Sequence, residues 1–172
     1  MTEEQIKSFE SREEVAEALR LRQGLAGADL SGLDLSEMKL TGLNMESANF
    51  SEANLTKSVI AGANLADVNM ANTQLNEAVI AAANMSGANF QGAQLQGAKV
   101  TATNLDSGDF TGADLTDSKW FGVNVSQAEG RRPRSVPSWR DTSSRGGVNA
   151  AISASVMPGP SVSSVLVKAY KR

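Results

Sequence analysis

"ANFSEANLTKSVIAGANL", residues 48–65, states a rhythm and then breaks it. Ala48-Asn49-Phe50, Ala53-Asn54-Leu55 and Ala63-Asn64-Leu65 repeat one theme, with two residues between successive statements. Where the third statement should fall stands Ser58-Val59-Ile60. The rhythm decides the fold, and the break marks one side of it.

The theme runs from Ala28 to Val125. A large apolar residue, the centre of each unit, occupies every fifth position from Leu30 to Val125, which makes twenty units without a slip. Two residues earlier sits a small or apolar residue, most often Ala. Between them stands Asn nine times and Asp four times. Such repetition takes precedence over any local reading.

A period of five excludes the ordinary elements. On an α-helix five residues advance roughly 500°, so successive centres would form no face. On one continuous strand an odd period throws successive centres to opposite sides. The chain keeps every centre on one side only by turning a corner in each unit. Residues two apart share a face when extended, so Ala28 and Leu30 point inward together and Asp29 points out. Repeated corners with one side always inward make a coil with Ala and Leu or Phe inside.

This unit, A-(D/N)-L-x-x, resembles the repeat of the pentapeptide-repeat family over about 100 of the 172 residues. The resemblance implies an all-β solenoid, a right-handed quadrilateral parallel β-helix with four units per square turn. The sequence supports that implication internally, because residues twenty apart form columns of distinct character. One column reads Leu35, Leu55, Leu75, Leu95, Leu115; the next reads Leu40, Ile60, Ile80, Val100, Trp120. A third reads Leu30, Phe50, Met70, Phe90, Phe110, and the fourth Met45, Leu65, Met85, Leu105, Val125. Twenty units then give about five coils, roughly 24 Å long at a strand spacing of about 4.8 Å.

The break at 58–60 now acquires an address. In the column of Ile60 the residue before the centre is never Asn or Asp; it reads Lys39, Val59, Val79, Lys99, Lys119. The residues after the centres are Thr41, Ala61, Ala81, Thr101 and Phe121. One wall of the square is thus apolar in its middle and basic towards its ends, with three of the four lysines of residues 26–129. Lys39, Val59, Ala61, Val79, Ala81, Lys99, Lys119 and Phe121 form a candidate face for a protein partner or a second copy. A second candidate is the far end of the coil. There Trp120, Phe121, Val123 and Val125 lie in the last turn, and Trp139 follows in the tail.

Composition divides the chain into three. Residues 1–25 read as a helical cap, with Thr2 and Ser11 as capping residues and Ile6, Phe9, Val15, Ala18, Leu19 and Leu21 as its apolar positions. A cap suits a solenoid end, which exposes strand edges and apolar side chains. The capping role is the expected one, with a partner-binding helix as the alternative. Residues 26–129 form the coil. Residues 130–172, beginning "GRRPRSVPSWR", are basic and rich in Pro, Gly and Ser. This tail stays partly disordered, packs on the coil or folds on a partner; "VNAAISASVM" and "SVSSVLVKAYKR" within it read as two strands around "PGP". The coil carries 4 basic and 12 acidic residues, the tail 8 basic and 1 acidic, so the net charge of −3 conceals an acidic rod with a basic tail.

The same inventory excludes functions. No His and no Cys removes the commonest metal ligands, disulfides and the usual nucleophile-base pairs. Acids on straight exposed columns lack a pocket to shift their pKa values. Neither an enzyme nor a metal or other cofactor site is expected. No apolar run approaches the roughly 18 residues of a membrane span. The basic stretch at 131–134 lacks aromatic interleaving apart from Trp139, so nucleic acid is not the expected ligand. The N-terminus shows no basic-then-apolar leader, so a cytoplasmic start is expected, with a signal-less secretion route left open.

The resemblance implies two functional classes. Some pentapeptide-repeat proteins serve as accessory or adaptor components of bacterial secretion machinery, including type VI systems, and the segment "GLAGADLSGLDLSEMKL" at 24–40 is similar to repeat starts of that setting. Others mimic DNA and bind gyrase or topoisomerase IV as dimers. The acidic rod speaks for the mimic; the basic tail and the Lys/Val wall speak against it. The expected function is therefore a non-enzymatic interaction or scaffold module, with the gyrase-binding mimic as the alternative.

Overall fold

The computed structural model describes residues 7–128. Thr2 and Ile6 of the expected cap, Trp139, and the two strand-like segments of the tail lie outside the described residues.

A parallel backbone ladder organises the coil. The amide of each centre donates to a carbonyl one lap further along the chain. Leu30 donates to Asn49 at 2.8 Å, Phe50 to Asn69 at 2.7 Å, and Leu75 to Gln94 at 2.6 Å. The accepting residue's own amide returns a bond, as Asn49 does to Ala28 at 2.8 Å. Both bonds join residues about twenty apart, so the register is one lap per rung. Three columns of single bridges follow from it: Asp29 through Asn49 to Asp109, Asp34 through Asn54 to Asp114, and Asn44 through Asn64 to Asn124. The fourth column is a continuous five-stranded parallel sheet. Its strands are β1 (Lys39–Thr41), β2 (Val59–Ala61), β3 (Val79–Ala81), β4 (Lys99–Thr101) and β5 (Lys119–Phe121), in that order. Four columns make four walls, as the period of twenty requires.

The interior is what the repeat dictates. Every centre from Leu30 to Val125 is buried, as are most of the residues two positions before a centre. Stacked coils place like on like, and the rings of Phe90 and Phe110 lie 4.9 Å apart with nearly parallel planes. Thr73 satisfies its buried hydroxyl by donating to the Phe50 carbonyl at 2.7 Å. Ser58 is fully buried in the column it shares with Met38, Ala78, Ala98 and Ser118, and its hydroxyl has no partner.

Corners demand an unusual backbone. The second residue after each centre has positive φ at every unit from Arg22 to Gln127; nine are Gly and thirteen are not. A non-glycine residue there costs on the order of 1 kcal/mol. The ladder on both sides of each corner leaves the chain no alternative path.

The two ends are closed differently. At the start, the helix is shorter than the sequence suggests: α1 spans Arg12–Arg20. The Ser11 hydroxyl accepts from the Glu14 amide at 3.3 Å, as a cap should. Ahead of it Ser8 pairs in parallel with Asp29, and the Asp29 amide donates to the Lys7 carbonyl at 2.9 Å. This segment covers the first strand edge, which a helix cannot do because its own amides are already used. Val15 and Ala18 are buried, and Arg12 donates to the Ser36 carbonyl at 2.7 Å. Leu21 points outward and is 52% exposed, because it lies beyond the helix's last turn.

At the far end Trp120 is 4% exposed. Its ring meets Phe110 edge to face at 5.5 Å, and Nε1 donates to the Ser118 hydroxyl at 2.9 Å. The indole therefore fills the bore of the last coil with its polar atom satisfied.

Two opposite stability effects follow. Replacing Phe90 by Ala removes a stacked, fully packed ring and is expected to lower unfolding free energy by about 3–5 kcal/mol in chemical denaturation. Ser58→Ala removes an unsatisfied buried hydroxyl and is expected to raise it by about 1 kcal/mol in the same experiment. A loss at Ser58→Ala would mean that the hydroxyl holds the wall together.

Candidate functional site

The β1–β5 wall owes its difference to one carbonyl. On the other three walls the amide three residues after each centre donates back to that centre. Ala53 donates to Phe50 at 3.0 Å, Ser58 to Leu55 at 3.1 Å, and Val68 to Leu65 at 3.2 Å. A turn with the third residue at positive φ is the outcome. After Leu40, Ile60, Ile80, Val100 and Trp120 no such bond occurs among the described residues. The centre's carbonyl is left to the ladder, and the register runs on to Thr41↔Ala61, Ala61↔Ala81, Ala81↔Thr101 and Thr101↔Phe121.

This switch explains why Asn vanishes at 59 and 79. On the other walls the Asn side chain makes two bonds. Its Oδ1 accepts from the amide two residues on, as Asn54 does from Thr56 at 3.0 Å. Its Nδ2 donates to the Oδ1 one coil earlier: Asn69 to Asn49 at 2.9 Å, Asn84 to Asn64 at 3.1 Å. On the β1–β5 wall the amide two residues on is Ala61 or Ala81, which belongs to a strand. An Asn there would find no free amide, so the position is open to Val or Lys. The sequence shows the missing Asn; the reason lies in the backbone.

Two outward rows result. One holds Lys39, Val59, Val79, Lys99 and Lys119; the other holds Thr41, Ala61, Ala81, Thr101 and Phe121. The lysines and Phe121 are exposed, whereas Val59, Val79, Ala61 and Ala81 are half-buried. At the adjoining corner stand Gly42, Gly62, Ala82, Ala102 and Gly122. The middle of the wall is therefore low and apolar, with cations above and below it. The structure brings all eight residues of the candidate face onto one wall.

The end set divides. Phe121 is 63% exposed, but Trp120, Val123 and Val125 are buried in the last coil. Of the described members, only Phe121 offers a free apolar surface.

The acidic columns are structural in their chemistry. Hydrogen bonds from Ser31 hold the Asp29 carboxyl below its ordinary value, and Ser36 does the same for Asp34. At Asp109 burial pushes the pKa up, but Thr111 and Gln91 together outweigh it, and the net shift is down. Lowered carboxyls stay ionised and accept hydrogen bonds, the opposite of what a general acid at neutral pH requires. Among the described residues no group of three or more acidic side chains is arranged to hold a metal ion. No helix there is long and apolar enough to cross a membrane.

A protein-family model, pentapeptide repeats, matches residues 25–56, 60–97, 83–119 and 93–128, well over half of the chain. No curated protein matches it in sequence. Among solved structures the chain is similar to QnrB1, a plasmid-mediated fluoroquinolone resistance protein. The identity is 27% and the TM-score 0.46, over 59% of this chain and 54% of that one. The chain thus spans about half the length of QnrB1. It is also similar to a pentapeptide repeat protein from the cyanobacterium Cyanothece 51142, at 24% identity and TM-score 0.42, over 67% of this chain and 96% of that one. A third is a pentapeptide repeat protein from the Arabidopsis thaliana thylakoid lumen, at 27% identity and TM-score 0.33, over 56% and 68% of the two chains.

The lowered carboxyls set a pH signature. Their folded-state values lie below the unfolded reference of 3.8, so the stability they contribute is complete above it and is lost as pH falls further. Thermal midpoints are expected to drop below pH of about 4. The variant Asp29→Asn/Asp34→Asn/Asp109→Asn, which keeps each accepting oxygen, is expected to fall less steeply. Identical slopes for the two proteins would show that these carboxyls are not the source.

Proposed function

The chain belongs to the pentapeptide-repeat family, and from that premise we propose that it is a non-enzymatic interaction module which docks a protein partner on the β1–β5 wall. The observation that carries this reading is the complete absence of Asn and Asp from the outward row of a single wall. On three walls the outward Asn and Asp side chains accept from the amides of their own corners, Gln74 and Gln94 being the exceptions. The fourth has its corners held by backbone alone and leaves two rows of side chains uncommitted. Half-buried Val59 and Val79 beside Ala61 and Ala81 offer a flat apolar centre that water solvates poorly.

A service as accessory or adaptor of a bacterial secretion machine, acting from the cytoplasm, is the finer form of this reading. It rests on the segment at 24–40 alone. The stripe of Lys39, Lys99 and Lys119 works against DNA mimicry, because it interrupts the acidic surface along one whole wall.

The test is affinity capture from the native host with the full chain and with Val59→Glu/Val79→Glu, both verified as folded by circular dichroism. Specific partners are expected on the unaltered chain and absent from the double variant. Capture that survives the two carboxylates unchanged would remove this wall from the function.

A further inference from the structure

We infer that the occupant of the β1–β5 wall is an acidic amphipathic helix, laid along the coil axis with its apolar stripe on Val59 and Val79 and carboxylates against the lysines at either end. This inference rests on the docking role of the wall and adds the chemistry of what docks.

Shape narrows the class first. The outward surface is five rungs long, so about 19 Å from β1 to β5 at a spacing of about 4.8 Å. It is only two rows wide, because strands β1 to β5 each turn a first and third residue outward and bury the second. Such a strip accommodates one helix of about 10–12 Å diameter better than a broad globular surface. At the corner beside the second row stand Gly62 and Ala82, which raise no long side chain against an approaching helix backbone.

Charge narrows it further. Lys39 lies one rung before Val59, and Lys99 and Lys119 lie one and two rungs after Val79, all in the same row. Lys39 and Lys99 are therefore about 14 Å apart, which a helix covers in roughly ten residues at about 1.5 Å each. A partner with Asp or Glu near both ends of a ten-residue stripe, and Leu, Ile or Val between, meets cation with anion and apolar with apolar. A basic partner would place like charges together on all three lysines. The charge of this wall is opposite to that of its neighbour, where Asp34, Glu37, Glu77, Asp114 and Asp117 lie, so the acidic helix is also held in its lane. Phe121, exposed beside Lys119, offers an aromatic anchor at the far end of the strip.

The experiment uses the full chain as bait for a displayed library of amphipathic helical peptides in which the positions flanking a fixed apolar stripe vary among Glu, Gln and Lys. Selected peptides are then measured by fluorescence anisotropy against the unaltered chain and three folded variants. Selection is expected to enrich Glu at both ends of the stripe. Binding should weaken at least tenfold in Lys39→Glu/Lys99→Glu/Lys119→Glu and in Val59→Glu/Val79→Glu. Lys57→Glu, which reverses a coil lysine outside this wall, should change it less than twofold. Raising salt from low to high should weaken it as well, since these are exposed charges. Enrichment of Gln or Lys, or indifference to the triple reversal while Val59→Glu/Val79→Glu still abolishes binding, would overturn the acidic helix and leave the docking wall standing. Indifference to both would remove the wall itself. A dimer in sedimentation that Val59→Glu/Val79→Glu dissolves would name a second copy as the occupant and overturn the inference.

Discussion

The bond from each centre's amide to a carbonyl one lap ahead is the constraint from which the rest follows. It holds from Leu25 donating to Asn44 through Leu105 donating to Asn124. Because its register is one lap, every side chain is stacked on its counterpart twenty residues away, inside and out. Inside, this makes a core of repeated identities, Leu on Leu and Phe on Phe. Outside, it makes ladders: an Asn bonded to the Asn below it satisfies two polar groups at once. The same bond confines the corners, so thirteen non-glycine residues keep positive φ.

Differences between the walls arise where that bond leaves a choice. A centre's carbonyl can accept from its own corner or continue the ladder. The first choice ends the strand, fixes a turn and leaves an amide from which the corner's own Asn or Asp oxygen accepts at every such corner from Leu30 onward, except those after Gln74 and Gln94. The second extends the strand and frees the outward position from that duty. Outward side chains left uncommitted are thereby separated from those that hold the coil together, with no departure from the core pattern. Buried centres on the β1–β5 wall are Leu40, Ile60, Ile80, Val100 and Trp120, as apolar as those elsewhere.

How far this was legible in the sequence depends on which side chains repeat. The coil, its inward columns and the distinct wall follow from the period, because a five-residue unit admits one way of keeping Leu and Phe inside. Acids at both extremes of two of the three ladders also become intelligible. Asp29 and Asp34 accept from Asn49 and Asn54 at the start, where no further donor is needed below. Asp109 and Asp114 take bonds from Gln91 and Gln96 near the far end. The non-repeating parts were harder to read. The expected long helical cap becomes a short α1 preceded by a pairing segment at Ser8, since capping signals do not reveal an open strand edge waiting to be covered.

By itself, the order of residues determined the lap of twenty, the identity of each inward column and the sign of charge on each wall. These depend only on counting, since a strict period maps position to place. Only the tertiary structure decided which carbonyl turns and which pairs, that Trp120 is buried against Phe110 while Phe121 stands out beside it, and that the first edge is met by a pairing segment at Ser8. Those outcomes depend on where a backbone group finds its partner across the coil, and no local pattern carries that information.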